Sequence, residues 1–340
     1  MDVASLSVAT EVDAAEWDRL ASKLGGGVFH CHAHTRYSAR LLEAEPLFAK
    51  ARNAAGDVVG LAAGTISTSS LWPFSRYCKE VSLPSLPLSA GGDAESGQAV
   101  LEALEGELKR RGVWVVRTAS YDSPHSLPVL TALGYARVPR WEHYFDLTVD
   151  REELLRRMGS NRRRQLRKAE QHGLQTCLED SLEAFELVIE LHNLAMKRRG
   201  ERQIVMDEKR RRASAELLAS GTIRLLITYL DGQPVNGDIV GLFNRRAYGM
   251  VSGSTDDSNR KYGPVQLIWV AMETFQEMGA TVLSLGGSKE GETGLRKFKQ
   301  EFGPIEVPQP SGTKAISDTG RRLASLRGPL RRPGRKLVRS

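Results

Sequence analysis

VQLIWVAMETFQEMGATVLSLGGS, Val265 to Ser288, reads as one unit: an apolar helix that stops on Gly279 and a strand, TVLSLGGS, that follows at once. A glycine just past the last helical turn accepts the left-handed conformation that ends a helix. The chain contains the same arrangement earlier. AVLEALEGELKRRG is an amphipathic helix ending at Gly112, and VWVVRTAS, Val113 to Ser120, is a β-branched strand directly after it. Further strands precede each unit: DVVGLAAGTIS from Asp57, and IRLLITYLDGQPVNGDIVGLFNRRAYGMVSGST from Ile223. In the latter, LDGQP predicts a tight turn and NRR a hairpin tip. Two copies of strands, helix and strand imply a duplicated α/β domain with mixed α+β sheets.

The length of 340 residues suits two domains. Residues 1–150 form the first, 151–172 a pair of basic linker helices, 173–310 the second, and 311–340 a basic tail. In the linker, Asp150 with Glu153 predicts a capping box, Ser160 a second cap, and Gly173 the end of that helix. Eight of the twenty residues from Arg151 to Glu170 are basic. From Gly320 onward there are seven arginines, one lysine and no acid, so most of the net charge of +7 is local to the end. Such a segment suits anionic lipid, RNA or an acidic partner.

With 41% hydrophobic and 26% charged residues the composition is that of a soluble globular protein. Its longest apolar run, VVGLAAG around Leu61, is too short for a bilayer. The first residues lack a secretory pattern, and Cys31, Cys78 and Cys177 are odd in number and far apart. They predict reduced thiols in a cytoplasmic protein. HCHAH, His30 to His34, would align three histidines on one face if it were a strand, but no second ligand segment accompanies it, so no metal site is expected.

Chemistry is expected in the second half. In LGGSKEGETGLRKFKQEFGP, Leu285 to Pro304, a surface hairpin, a phosphate loop and a catalytic loop compete. Leu295, Phe298 and Phe302 fall on one helical face, which places Lys299 at its edge and turns Arg296 and Lys297 to water. A partly buried lysine suits an oxyanion or an anionic partner, with Gly286, Gly287 and Ser288 beside it. Arg198, Arg199 and Arg202, after an apolar stripe, are able to clamp a diphosphate or simply to close the helix at Gly200. The segment Arg260-Lys261-Tyr262-Gly263-Pro264-Val265 enters a helix start suited to anions and resembles the R-x-x-G-x-G/A loop of GNAT acyltransferases, which holds a coenzyme A pyrophosphate.

Taken together, NRRRQLRKAEQHG, AMKRRG and LGGS…GLRKFKQEFG resemble the FemAB/FemX group, peptidoglycan-bridge aminoacyl transferases built from two GNAT-like acyltransferase domains. The resemblance covers roughly Phe29 to Pro304. It implies transfer of an amino acid from aminoacyl-tRNA to an amine on a UDP- or lipid-linked muropeptide. It puts the oxyanion-stabilising lysine at Lys299 and the phosphate-contacting arginine at Arg198, with Arg202 one turn later. Tyr37 and Arg40 stand in for the family's basic and aromatic residues near the first domain's start. The long coiled-coil arm of some members is absent. Asp122, just past the first domain's strand, is expected near a domain cleft or in an Asx turn. An acyl-CoA-dependent N-acyltransferase and a non-catalytic scaffold binding anionic polymer or membrane remain alternatives. No cofactor is expected to bind tightly; aminoacyl-tRNA or acyl-CoA enters as co-substrate.

Overall fold

The computed structural model describes residues 2–68 and 79–318; Cys78 and the arginine-rich 320–340 segment lie outside them. The first half runs β1 (Ser5–Ala9), α1 (Ala14–Lys23), a 3-10 turn (Val28–His30), α2 (His32–Leu42), β2 (Glu45–Arg52), β3 (Val58–Thr68), β4 (Lys79–Leu83), β5 (Leu88–Ser89), α3 (Ala94–Arg110), β6 (Val113–Thr118), α4 (Ser126–Ala132) and β7 (Ala136–Val138). It is followed by β8 (Arg140–Asp146), α5 (Arg151–Arg157), α6 (Ser160–Gln171), β9 (Gln175–Glu179), α7 (Leu182–Arg198) and α8 (Glu208–Ala219). The remainder is β10 (Ile223–Leu230), β11 (Gln233–Phe243), β12 (Arg246–Ser254), α9 (Asp256–Arg260), α10 (Gly263–Glu277), β13 (Val282–Lys289), α11 (Thr293–Gln300), β14 (Ile305–Pro308) and β15 (Ser311–Ala315).

The expected mixed α/β architecture is present as two sheets. One has the order β1-β2-β3-β4-β6-β15-β7, with β5 on β3, and the other β14-β8-β13-β12-β11-β10-β9. Each has one parallel pair, β4 with β6 and β12 with β13. Asp150 caps its helix as the sequence predicts, accepting from Glu153 N–H, and Asp93 does the same for α3 by accepting from Ser96 N–H. Ser160 is not a cap; Gly159 holds that position and Ser160 is the first helical residue. Asp231-Gly232 and Asn244-Arg245 both take positive φ, as two-residue hairpin turns require.

The two sheets trade a strand. β8 precedes residue 150 yet lies between β13 and β14 of the second sheet, and β15 follows residue 310 yet lies between β6 and β7 of the first. Each crossing carries a proline, Pro139 between β7 and β8 and Pro310 between β14 and β15. Proline has no N–H to offer a ladder, so it marks where a strand leaves one sheet. The crossings run side by side, with Gln309 N–H donating to the Arg140 carbonyl at 2.8 Å.

The second sheet packs α10 and α6 over a core that includes Trp269, Met272, Phe275, Leu283 and Phe302. Each such side chain contributes about 1.5–3 kcal/mol on burial. The opposite face holds α7 against Ile223, Leu225, Ile227 and Ile239. HCHAH is not a strand: it spans the 3-10 turn and the first turn of α2, so its histidines do not share a face.

Candidate active site at a strand fork

The parallel pairs of the two sheets differ at their carboxyl ends. In the first sheet β4 and β6 stay paired to Leu83–Thr118, the last residue of each strand. In the second, β12 and β13 pair only at Arg246–Val282, Ala247–Leu283 and Tyr248–Ser284. Both strands then continue, to Ser254 and Lys289, without each other. A parallel ladder that ends early leaves backbone groups facing a gap, and those groups must find other partners.

Lys299 supplies the partner. Its Nζ donates to the carbonyls of Leu285 at 2.7 Å, Gly286 at 3.1 Å and Gly287 at 3.0 Å. These bonds use the three hydrogens of an ammonium. The residue is only 8% exposed, and Phe298 of α11 and Phe302 in the turn after it pack that segment onto the core. Burial pushes its pKa down to about 8; Arg140 acts in the same direction, and Glu142, Glu292 and Asp238 oppose it.

The Gly-Gly pair is not a loop after the strand. β13 runs through it as a bulge against β8, with the register shifting between Ser284 and Gly287. Gly286 has φ +68°, where a side chain is strained, and so lets three consecutive carbonyls converge on one cation. A Cβ on Gly287 would overlap the Arg140 guanidinium. Ser288 is fully buried and its hydroxyl has no hydrogen-bond partner. Arg296 does not face water: it pairs with Glu306 and stacks on Trp141, with 4.0 Å from the guanidinium carbon to the ring centre.

Asp238, on β11, completes the fork. A side chain on Gly249, the first residue of β12 beyond its pairing with β13, would lie 3.5 Å from Asp238 Oδ2 and 3.5 Å from the Ser284 carbonyl. Asp238 Oδ1 is enclosed without a hydrogen-bond partner. Burial pushes this carboxyl up to about 8, against the pull of Lys299. The residue as a whole is partly exposed. Nothing in the local sequence, NGDIV, distinguishes Asp238 from a surface acid; only the inward-facing alternation of β11 does so.

The fork is walled on the first-domain side by a saturated polar network. Glu142 Oε1 accepts from Tyr248 at 2.6 Å and from Arg140, and Oε2 accepts from Tyr144 at 2.7 Å and Asp122 N–H at 3.2 Å. Gln309 donates to the Tyr144 hydroxyl at 2.5 Å and accepts from Ser123 N–H at 3.0 Å. Asp122 has φ +50° and is held by Arg246, so it links the domains instead of standing free in a cleft.

The remaining predicted residues lie elsewhere. Arg198 donates to the Ser254 carbonyl at 2.7 Å and pairs with Asp256 at 3.3 Å, which ties the end of α7 to the end of β12. Arg202 is exposed between α7 and α8. Arg260 and Lys261 both pair with Asp257, at 3.3 and 3.2 Å, so the predicted cationic loop is balanced by its own acids. Tyr262 has φ +65° at the cap of α10, and a Cβ on Gly263 would overlap Ser258. Tyr37 lines a pocket between α2 and α8 with Arg36, Arg40, Leu217 and Ser220. Among the described residues no His, Cys, Asp or Glu cluster has the arrangement of a metal site, and no helix is long and apolar enough to cross a membrane.

Residues 156–300 match the sequence profile of the Acetyltransferase (GNAT) domain. No curated protein matches the chain in sequence. Among solved structures, FemX superposes with a TM-score of 0.73 at 13% identity, over 94% of this chain and 99% of its own. A C-terminal domain (DUF2156) assigned to a lysylphosphatidylglycerol synthetase from Agrobacterium fabrum gives 0.57 at 14% identity, over 92% and 96%. A tandem GNAT protein from the clavulanic acid biosynthesis pathway gives 0.52 at 12% identity, over 92% and 99%. The fold is therefore FemX-like, two GNAT-like domains in tandem, and the matched domain is of the acyltransferase kind.

Proposed function

We propose that the protein is an acyltransferase that moves an aminoacyl group from aminoacyl-tRNA onto an amine, such as that of a peptidoglycan-precursor stem peptide, and that the β12–β13 fork is its reaction site. The observation that carries the reading is the buried Lys299 ammonium at the point where the parallel ladder opens, within a fold that superposes on FemX along nearly its whole length.

An aminoacyl ester is already activated, so alignment and stabilisation of the oxyanion suffice for attack by an amine. As the donor carbonyl becomes tetrahedral, Lys299 exchanges one of its three carbonyl partners for the developing oxyanion. Gly286, Gly287 and Ser288 shape the wall on which the donor rests. Tyr37, with Arg36 and with Arg40, which pairs with Glu216 of the same pocket, offers an aromatic and cationic surface for the anionic part of a UDP- or lipid-linked acceptor, and Arg202 contributes charge beyond the end of α7, where Arg198 is held by Asp256. The arginine-rich 320–340 segment would hold the protein at the inner face of an anionic membrane.

A second reading rests on Arg260, Lys261, Tyr262 and Gly263, which lead into the N-terminus of the long helix α10, an end suited to the diphosphate of an acyl-CoA. Incubation of the protein with labelled aminoacyl-tRNA or labelled acyl-CoA and a muropeptide amine separates the two. Acceptor-dependent loss of label from the tRNA is the expected result. Label lost only from acyl-CoA replaces the first reading with the second, and loss from neither leaves a binding scaffold.

A further inference from the structure

We infer that Asp238 is the catalytic base of the fork, accepting the proton of the incoming amine opposite Lys299. The inference rests on the acyl-transfer reading and adds the group that the sequence left without a candidate.

The acids and bases around the fork are otherwise engaged. Glu142 has four donors on its two oxygens. Asp122 is held by both nitrogens of Arg246. Glu306 accepts from Arg296, Gln300 and His143, and His143 has contacts at both ring nitrogens. Glu292 accepts from Lys289 N–H at 2.7 Å. Asp238 alone in this group keeps a carboxylate oxygen enclosed and unpartnered. An unpaired buried acceptor is costly, and a role in the reaction accounts for retaining this one at the fork. Gly249 keeps the approach to it open, since any larger residue would stand between Asp238 and the Ser284 carbonyl.

The electrostatics agree with the geometry. Lys299 is the charged group acting on Asp238, and across the ladders Asp238 faces Leu226 on β10 and Ser252 on β12. Burial raises the carboxyl and lowers the ammonium, each to about 8, so both change charge within the working pH range. In the step, the acceptor nitrogen bonds to the donor carbonyl carbon and the π electrons move to the oxygen beside Lys299. One N–H proton passes to the Asp238 carboxylate. The bond from carbon to the ester oxygen then breaks as the carbonyl re-forms, and the leaving oxygen takes the proton from Asp238. The products are an amide and an alcohol.

The test compares wild type, Asp238→Asn and Asp238→Glu, using the donor that wild type consumes, across pH 6–9. Asp238→Asn should lower kcat by about 10²–10⁴-fold with the acceptor KM little changed, and should remove the pH dependence the base imposes. It should also melt no lower than wild type at pH 8–9, because a buried charge has been removed, and Asp238→Glu should restore part of the rate. A folded Asp238→Asn with wild-type kcat overturns the inference, as does a rate loss matched by loss of folded protein. A wild type that consumes no donor instead overturns the acyl-transfer reading beneath it.

Discussion

The Asp122 carboxylate holds the Arg246 guanidinium by two hydrogen bonds, 2.9 Å to Nε and 2.5 Å to Nη2, joining the loop after β6 of one sheet to the first residue of β12 in the other. Asp122 is 5% exposed and Arg246 26%. Asp122→Ala should therefore destabilise the protein by about 1–3 kcal/mol, the cost of leaving a largely buried donor pair unsatisfied after allowance for its partial exposure. Chemical denaturation checks this. An unchanged midpoint would show that the two domains are held without the pair.

The two glycines of β13 should respond differently to the same substitution. Gly286→Ala brings a Cβ to 3.2 Å from the Gly249 carbonyl at a positive φ, and should cost about 1–2 kcal/mol. Gly287→Ala overlaps Arg140, which is itself fixed by Glu142 and by the Ala119 carbonyl at 3.0 Å. The latter should cost several times more, as overpacking with a displaced buried cation does. Equal melting temperatures for the two variants would contradict the description of the bulge.

Buried histidines should make a destabilising contribution on acidification that a His34 variant lacks. His34 is buried between Phe29 and Tyr37, its Nδ1 lacks a partner, and burial pushes its pKa down to about 4. An unfolded histidine titrates near 6.5, so on acidification the unfolded chain binds the proton first and stability falls as pH drops from about 6.5 to 4. At 1.36 kcal/mol per pH unit the loss from His34 reaches about 3 kcal/mol. His30, also buried, is shifted the same way. Urea midpoints between pH 7.5 and 4.5 measure the slope, and His34→Leu should flatten it. Asp238, whose carboxyl burial raises to about 8, contributes with the opposite sign in both proteins, so the His34 contribution is the difference between them, and equal slopes for wild type and His34→Leu would contradict the burial argument.

The architecture was legible because its signals are local. Gly112 and Gly279 end helices, Asp231-Gly232 and Asn244-Arg245 turn hairpins, and Asp150 caps a helix, each by chemistry contained in a few residues. Lys299 was legible through helical periodicity, which put it at the edge of the Phe298 and Phe302 face. What was not legible depends on pairing between distant segments. The exchange of β8 and β15 between sheets follows from crossings at Pro139 and Pro310, residues 171 positions apart in the chain (310 − 139). The saturation of Glu142 draws on Tyr248 and Asp122 from different domains. Asp238 gains its character only from where β12 parts from β13. The loop from Arg260 to Gly263 read as cationic because Asp257 was not counted against it, although helical spacing of three and four residues pairs them.

The most direct test is single-turnover transfer by Lys299→Met at pH 7.5, measured with the donor that wild type consumes and with folding checked by circular dichroism. Methionine keeps the length of the side chain and removes the ammonium. Transfer should be about 10²–10³-fold slower than wild type, the loss typical of one oxyanion donor. Lys299→Arg should fail to restore it, since a planar guanidinium cannot place three hydrogens on the convergent carbonyls of Leu285, Gly286 and Gly287. A folded Lys299→Met that transfers at the wild-type rate would contradict the assignment of the fork as the reaction site.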